Sequence, residues 1–462
     1  MFAYLHKWSF NFINKDLRDI LVSLFALGNM PACDEFIMFY RNMINKTIIY
    51  LIKNPIDGMN KDVDKGFLMR FLIAILSFVL VTSTPAHEAK PNSTEKQLAI
   101  SLATDEQGQL WRAEIIDGFV AVSMSEDLGK TFSKPVCVNL EKQKLSAKGE
   151  VRPKIALGTK GEVYVAWMQN LTKRFAGYIW FSRSLDGGKS FEKPIIVHQD
   201  RAEIGHAFEE LSVSADGKVT VLWLDARDLM RDKLAGKKRS GSSIYYTTSS
   251  DKGDSFAPEV KLADYSCECC RIATTTKPDG TVVAMWRHVF DGGERDHMMA
   301  EIPQSAESAE LHRATFGHWQ LDGCPHHGGA LAIGGEDANW WGYHMAYFDG
   351  KEKNPGLYYS RMDGEAWVTS PAKQFGDNNK QAGHPTLLSS GEKVWLAWQE
   401  THAGNVKKVM GMSSNDGGKT WSDATNLLST SAKIDYSQLL KFKDATYLAV
   451  NTSEGLKLKI IP

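Results

Sequence analysis

Two cysteine-bearing segments carry the densest chemistry in the chain. Cys267-Glu-Cys269-Cys270 and Cys324-Pro-His326-His327 bring together four thiols and two imidazoles. Thiolate and imidazole are soft and borderline ligands, and they suit copper or zinc. His384, in Gly383-His384-Pro385, is a further candidate ligand. The Cys-x-Cys-Cys spacing matches no standard zinc pattern, so other readings stand beside a metal. One of the three could pair with Cys324 as a disulfide. Cys269 and Cys270 could form a strained bond with each other, or one thiol could be redox-active. Five cysteines follow residue 86. Five is odd, so at least one is free, metal-bound or paired outside the chain.

A second set offers carboxylates, arginines and a phenol. Its segments are Glu150-Val-Arg152-Pro153, His206-Ala-Phe-Glu209-Glu210, Cys270-Arg271 and Asp435-Tyr436-Ser437. Arginine forks match carboxylates in bidentate geometry. A tyrosine assisted by a carboxylate can act as a nucleophile. Taken singly, each segment is explained by turn chemistry or a strand start. Their interest lies in shared position, because each begins a unit of a repeat.

The repeat has two parts. Four segments read Ser-x-Asp-x-Gly-x-Ser/Thr-aromatic: Ser125 to Phe132, Ser184 to Phe191, Ser249 to Phe256 and Ser414 to Trp421. Their aspartates lie 59, 65 and 165 residues apart, and the last interval holds three periods of about 55. A worn copy runs from Tyr359 to Trp367. Between these segments lie runs such as Gly161-Glu-Val-Tyr-Val-Ala-Trp167, Gly217-Lys-Val-Thr-Val-Leu-Trp223 and Gly280-Thr-Val-Val-Ala-Met-Trp286. Alternation with period two, bounded by Gly and Asp, predicts strands. Short strands repeating every 55 residues or so predict an all-β propeller of four-stranded blades. Seven units start near 98, 150, 207, 270, 326, 383 and 436; six blades is the alternative. The last unit has room for three strands, and residues 90–97 could supply a closing one. Within each box the Asp would accept turn N–H bonds, the Gly would take a positive φ and the aromatic would bury. The box aspartates are therefore expected to be structural.

This pattern resembles the Asp box, or BNR repeat, of sialidase-like propellers. In such folds ligands bind where the inner strands begin. Six of the seven units place polar or ligating residues there, which predicts a central site. The resemblance implies a Tyr nucleophile, a partner Glu and three carboxylate-gripping arginines. Tyr436-Ser-Gln-Leu439 resembles the nucleophile context, with Glu209 or Glu210 as the Glu. Arg152, Arg271 and Arg361 are the candidate arginines. No acid/base Asp can be placed, and sialidases have six blades. The run Cys267 to Cys270, Arg295-Asp296 and Trp319 to Pro325 is also similar to a group of exported bacterial sialidase-like proteins without a settled activity.

The chain of 462 residues carries 54 Lys+Arg against 55 Asp+Glu, which points away from a nucleic-acid partner. Met69-Arg70, the apolar run Phe71 to Val81 and the small residues Ser83 to Ala86 read as a signal peptide over 69–86. The run is short for a membrane span. Residues 1–68 then read as a non-native or disordered extension, and 90–462 as the propeller. Three functions follow as expectations. The first is an exported, periplasmic or secreted propeller with a central site for a small molecule, glycan or metal and no membrane span in the mature protein. The second is an exo-α-sialidase-like hydrolase. The third is a scaffold whose cysteines staple blades. No P-loop, dinucleotide fingerprint, Gly-x-Ser-x-Gly or His-Glu-x-x-His is present.

Overall fold

The computed structural model describes residues 97–462, apart from 146, 148, 239, 304–307, 324 and 335–339. The leader-like run and Cys324 lie outside the described residues. Seven antiparallel sheets follow one another along the chain. Their innermost strands are Ser101–Thr104, Lys154–Leu157, His206–Val213, Ala273–Thr276, Ala330–Ile333, Gly383–Ser390 and Gln438–Phe442. Each packs on the next, and the last packs on the first. The protein is thus a seven-bladed propeller. Six sheets have four strands and the seventh has three among the described residues. One short helix, Arg227–Leu234, interrupts the third blade. No helix among the described residues is long and apolar enough to cross a membrane.

The period-two runs fold as the second strand of each blade. Both faces of these strands are buried, as in Val163–Asn170. Val163, Val165 and Trp167 face the core shared with the first blade. Tyr164 and Met168 face the core shared with the third. Alternation here separates two apolar cores rather than core from solvent, because each blade is a layer between two others.

The four boxes share one set of hydrogen bonds. In the sixth blade, Thr420 donates through its backbone N–H (2.8 Å) and its hydroxyl (2.6 Å) to the two oxygens of Asp416. The Gly418 N–H donates to Ser414 Oγ at 2.9 Å. Burial raises the Asp416 pKa, but the bonds from Thr420 and from the Ser414 hydroxyl outweigh it and hold it at about 2. Gly418 has a φ of 78°. A Cβ there would also lie 1.8 Å from the Tyr359 hydroxyl of the preceding blade. Gly188 meets Trp111 and Gly253 meets Phe181 in the same way. The box glycine therefore serves two ends, a positive φ and close approach of a neighbouring blade. Asp416→Ala should cost on the order of 1–2 kcal/mol, as loss of a capping side chain does. Thermal unfolding reads this as a lowered midpoint, and ligand binding at the far face should be unchanged.

The ring closes through side chains. Arg152 makes a bidentate pair with Asp435, at 2.7 and 2.8 Å, and donates to Ile100 O at 2.8 Å. Asp435 also accepts the Ile100 N–H. Asn451 Nδ2 donates to Leu98 O. The start of the first blade is thereby tied to the second and the last.

Candidate functional site

The inner strands begin around a polar cavity of about 260 Å³. Its wall includes Glu150, Arg152, Lys154, Glu210, Arg271, Tyr436 and Gln438. Lys154 pairs with Glu210 at 2.6 Å. Glu150 accepts the backbone N–H groups of Arg271 and Gly328, both at 3.0 Å. Its carboxylate lies 4.0 Å from Arg271 Nε and 3.9 Å from His384 Nδ1. Burial raises the Glu150 pKa, but His384 and Arg271 outweigh it and hold it at about 2. Glu150 is thus a permanent anion that fixes the segment 271 and the 328 turn. The sequence places it at a strand start but gives no signal of these long-range partners.

Arg271 donates through Nε to Gly329 O and through Nη2 to Pro385 O, both at 3.0 Å. Its side chain stays 27% exposed at the wall. Guanidinium has five N–H donors, so the fork retains donors for a ligand. Tyr436 forms an adjoining wall. Its ring stacks on His384 at 3.7 Å between centroids, and His384 stacks in turn on His327 at 5.4 Å. Burial, with Glu150 nearby, pushes the Tyr436 phenol up to about 12. His327 also stacks on Phe348 at 4.2 Å, and burial holds its pKa at about 4. His326 is exposed at φ 53°.

Of the four residues expected to do chemistry, Tyr436, Arg152 and Arg271 meet at the cavity. Arg152 is occupied there by Asp435. Glu209 is not in the wall; its neighbour Glu210 is. The reason is a bulge. Glu210 pairs with Leu222 and Ala207 with Leu224, so Phe208 and Glu209 together oppose Trp223. Phe208 takes φ 56° to allow this. The extra residue shifts the phase of the strand and turns Glu209 into the protein, where it is 1% exposed. A non-glycine residue at positive φ leaves no sequence signature. Arg361 lies elsewhere, donating to Gly417 O near Trp340. Among the described residues two arginines, not three, reach the cavity.

The cysteines form a separate buried cluster. Cys267 Sγ lies 3.7 Å from Cys269 Sγ and 3.5 Å from Cys270 Sγ. All three are free thiols, so none is disulfide-bonded to another. Hydrogen bonds from Cys269 and Cys270 hold the Cys267 thiol far below its ordinary range, and the same contacts push Cys269 upward. The three sulfurs lie within reach of one ion, and His326, His327 and His384 do not join them. Arg287, which no sequence motif singles out, adjoins them; its carbonyl accepts the Cys267 N–H at 2.8 Å.

No protein-family model matches this chain, and no curated protein does. Among solved structures, it is similar to the Hadza microbial sialidase Hz136 at 13% identity, over 75% of this chain and 74% of that one, with a TM-score of 0.43. It is similar to the polysaccharide lyase Uly1 at 9% identity, over 80% and 91%, with a TM-score of 0.48. It is also similar to the Penicillium chrysogenum α-L-arabinanase complexed with arabinobiose at 14% identity, over 71% and 95%, with a TM-score of 0.45. Likeness at this level assigns no activity.

Proposed function

We propose that the protein is a binding propeller whose central cavity takes a small carboxylated sugar. The observation that carries this is Arg271. It is pinned by two backbone carbonyls and partly exposed to the cavity, and its one carboxylate neighbour, Glu150, stands 4.0 Å from Nε without a side-chain hydrogen bond to it. A pinned fork loses little freedom when it grips a planar anion. The cavity volume suits a ligand of one sugar ring, and the Tyr436 ring offers a flat wall for it. Turnover is less well supported. The sialidase-like reading needs three arginines and a Glu beside Tyr436. Here one of two arginines is spent on Asp435, Glu209 faces the interior and the Tyr436 phenol is held protonated.

Isothermal titration with N-acetylneuraminic acid and with glucuronate, against glucose as the neutral control, tests this. Binding of at least one acid is expected, with no binding of glucose. Arg271→Ala should weaken it roughly 10–100-fold, the worth of a charge-assisted contact, and Tyr436→Phe should leave it within a few fold. Equal affinity for glucose, or unchanged binding in Arg271→Ala, would overturn the reading. Release of product from a fluorogenic sialoside, abolished by Tyr436→Phe, would replace it with the hydrolase.

A further inference from the structure

We propose that Cys267, Cys269 and Cys270 form a three-sulfur site for a soft monovalent cation, Cu(I), with Arg287 as its buried counter-charge. The site stands apart from the cavity reading, and either can fail alone.

Geometry is the first support. In a three-coordinate site, metal–thiolate bonds of about 2.3 Å set neighbouring sulfurs roughly 3.8–4.0 Å apart. The sulfurs here are 3.5 and 3.7 Å from Cys267, and all three lie within 4.8 Å of one another. A disulfide would need about 2.05 Å. The backbone sets this convergence, since the three come from four consecutive positions at the start of a blade.

Charge is the second and independent support. Arg287 is 2% exposed. Its guanidinium donates only to the carbonyls of Arg295, His327 and Phe348, and its Nε has no hydrogen-bond partner. Among the described residues no carboxylate pairs with it. A buried guanidinium without a counter-ion is costly. Besides the Trp319 ring, whose centre lies 5.3 Å from it, the Arg287 charge acts on Cys267 and Cys270, and thiolates in a dry pocket need a metal to hold them. Three thiolates, one Cu(I) and Arg287 leave a net charge of −1.

The coordination number selects the ion. Closed zinc sites take four ligands, and open ones keep a place for water. Cys267, Cys269 and Cys270 are 1, 7 and 2% exposed, which excludes water, and no fourth ligand joins them among the described residues. Cu(I) is content with three sulfurs, and soft ligands favour it.

The experiment uses the full chain with Cys33, Cys137 and Cys324 each changed to Ser, which leaves Cys267, Cys269 and Cys270 as its only cysteines. The protein is purified reduced and anaerobically, then titrated with Cu(I) against bathocuproine disulfonate. One tightly held Cu(I) per chain is expected, with an ultraviolet thiolate-to-copper band. Cys267→Ser should lose that copper. Arg287→Met, which keeps every ligand, should weaken it about 10–100-fold. The wild-type titration stands even where a variant fails to fold, and circular dichroism identifies such a variant. Failure to compete with the chelator, copper unaffected by Cys267→Ser in a folded protein, a 1:1 zinc complex that excludes copper, or two of the three thiols titrating only after reduction would each overturn the proposal.

Discussion

Arg152→Ala should destabilise the propeller by about 3–5 kcal/mol, the usual cost of removing one partner of a buried ion pair. The side chains of Arg152 and Asp435 are 8% and 1% exposed. Removing the guanidinium strands a carboxylate in a dry seam between the second and last blades. It also deletes the bond to Ile100 O, which fixes the first strand. The loss should be read by urea unfolding, with the midpoint falling while the blades' strand content stays native-like. A double variant, Arg152→Leu with Asp435→Leu, should recover most of the loss, because it leaves no unpaired charge. A double variant as unstable as the single one would show that packing at the seam, and not the ion pair, holds the ring.

The second large effect concerns pH. Glu209 is fully buried, and neither oxygen has a hydrogen-bond partner among the described residues. Burial raises its pKa from 4.5 to about 8, with Lys154 opposing and Glu210 adding. The unfolded carboxyl ionises near 4.5, while the folded one keeps its proton until about 8. Stability from this group is therefore full below 4.5 and is lost as pH rises toward 8. Between pH 5 and 8 the wild type should lose roughly 3–4 kcal/mol more than Glu209→Met. Comparing the two slopes cancels any packing cost of the substitution. Parallel slopes would mean that Glu209 finds a partner or water in solution.

The propeller was legible because its determinants are local and repeated. Each box spells a turn within eight residues, and each alternating run spells a strand. Unit starts read at 150, 207 and 383 fall within a few residues of the inner strands at Lys154, His206 and Gly383. The central site was legible only as a set of strand starts. Which side chain faces the centre depends on bulges at Phe208–Glu209 and His384–Pro385, and the first has no glycine or proline to announce it. Arg152 read as a free ligand arginine because its partner lies 283 residues away. Glu150 draws its meaning from contacts made across the ring and Arg287 from contacts with the next blade, which no local pattern encodes.

The box glycines carry a consequence for the ring as a whole. Gly188, Gly253 and Gly418 are spacers of zero thickness between wedges, since an aromatic ring or phenol of the preceding blade occupies the place of the missing side chain. A closed ring shares one full turn among its wedges, so extra bulk at one contact cannot be absorbed there alone. The other six contacts would have to narrow, and the bore would change shape with them. Hairpins on the rim are in this sense the gauge of the central cavity, although they never touch it.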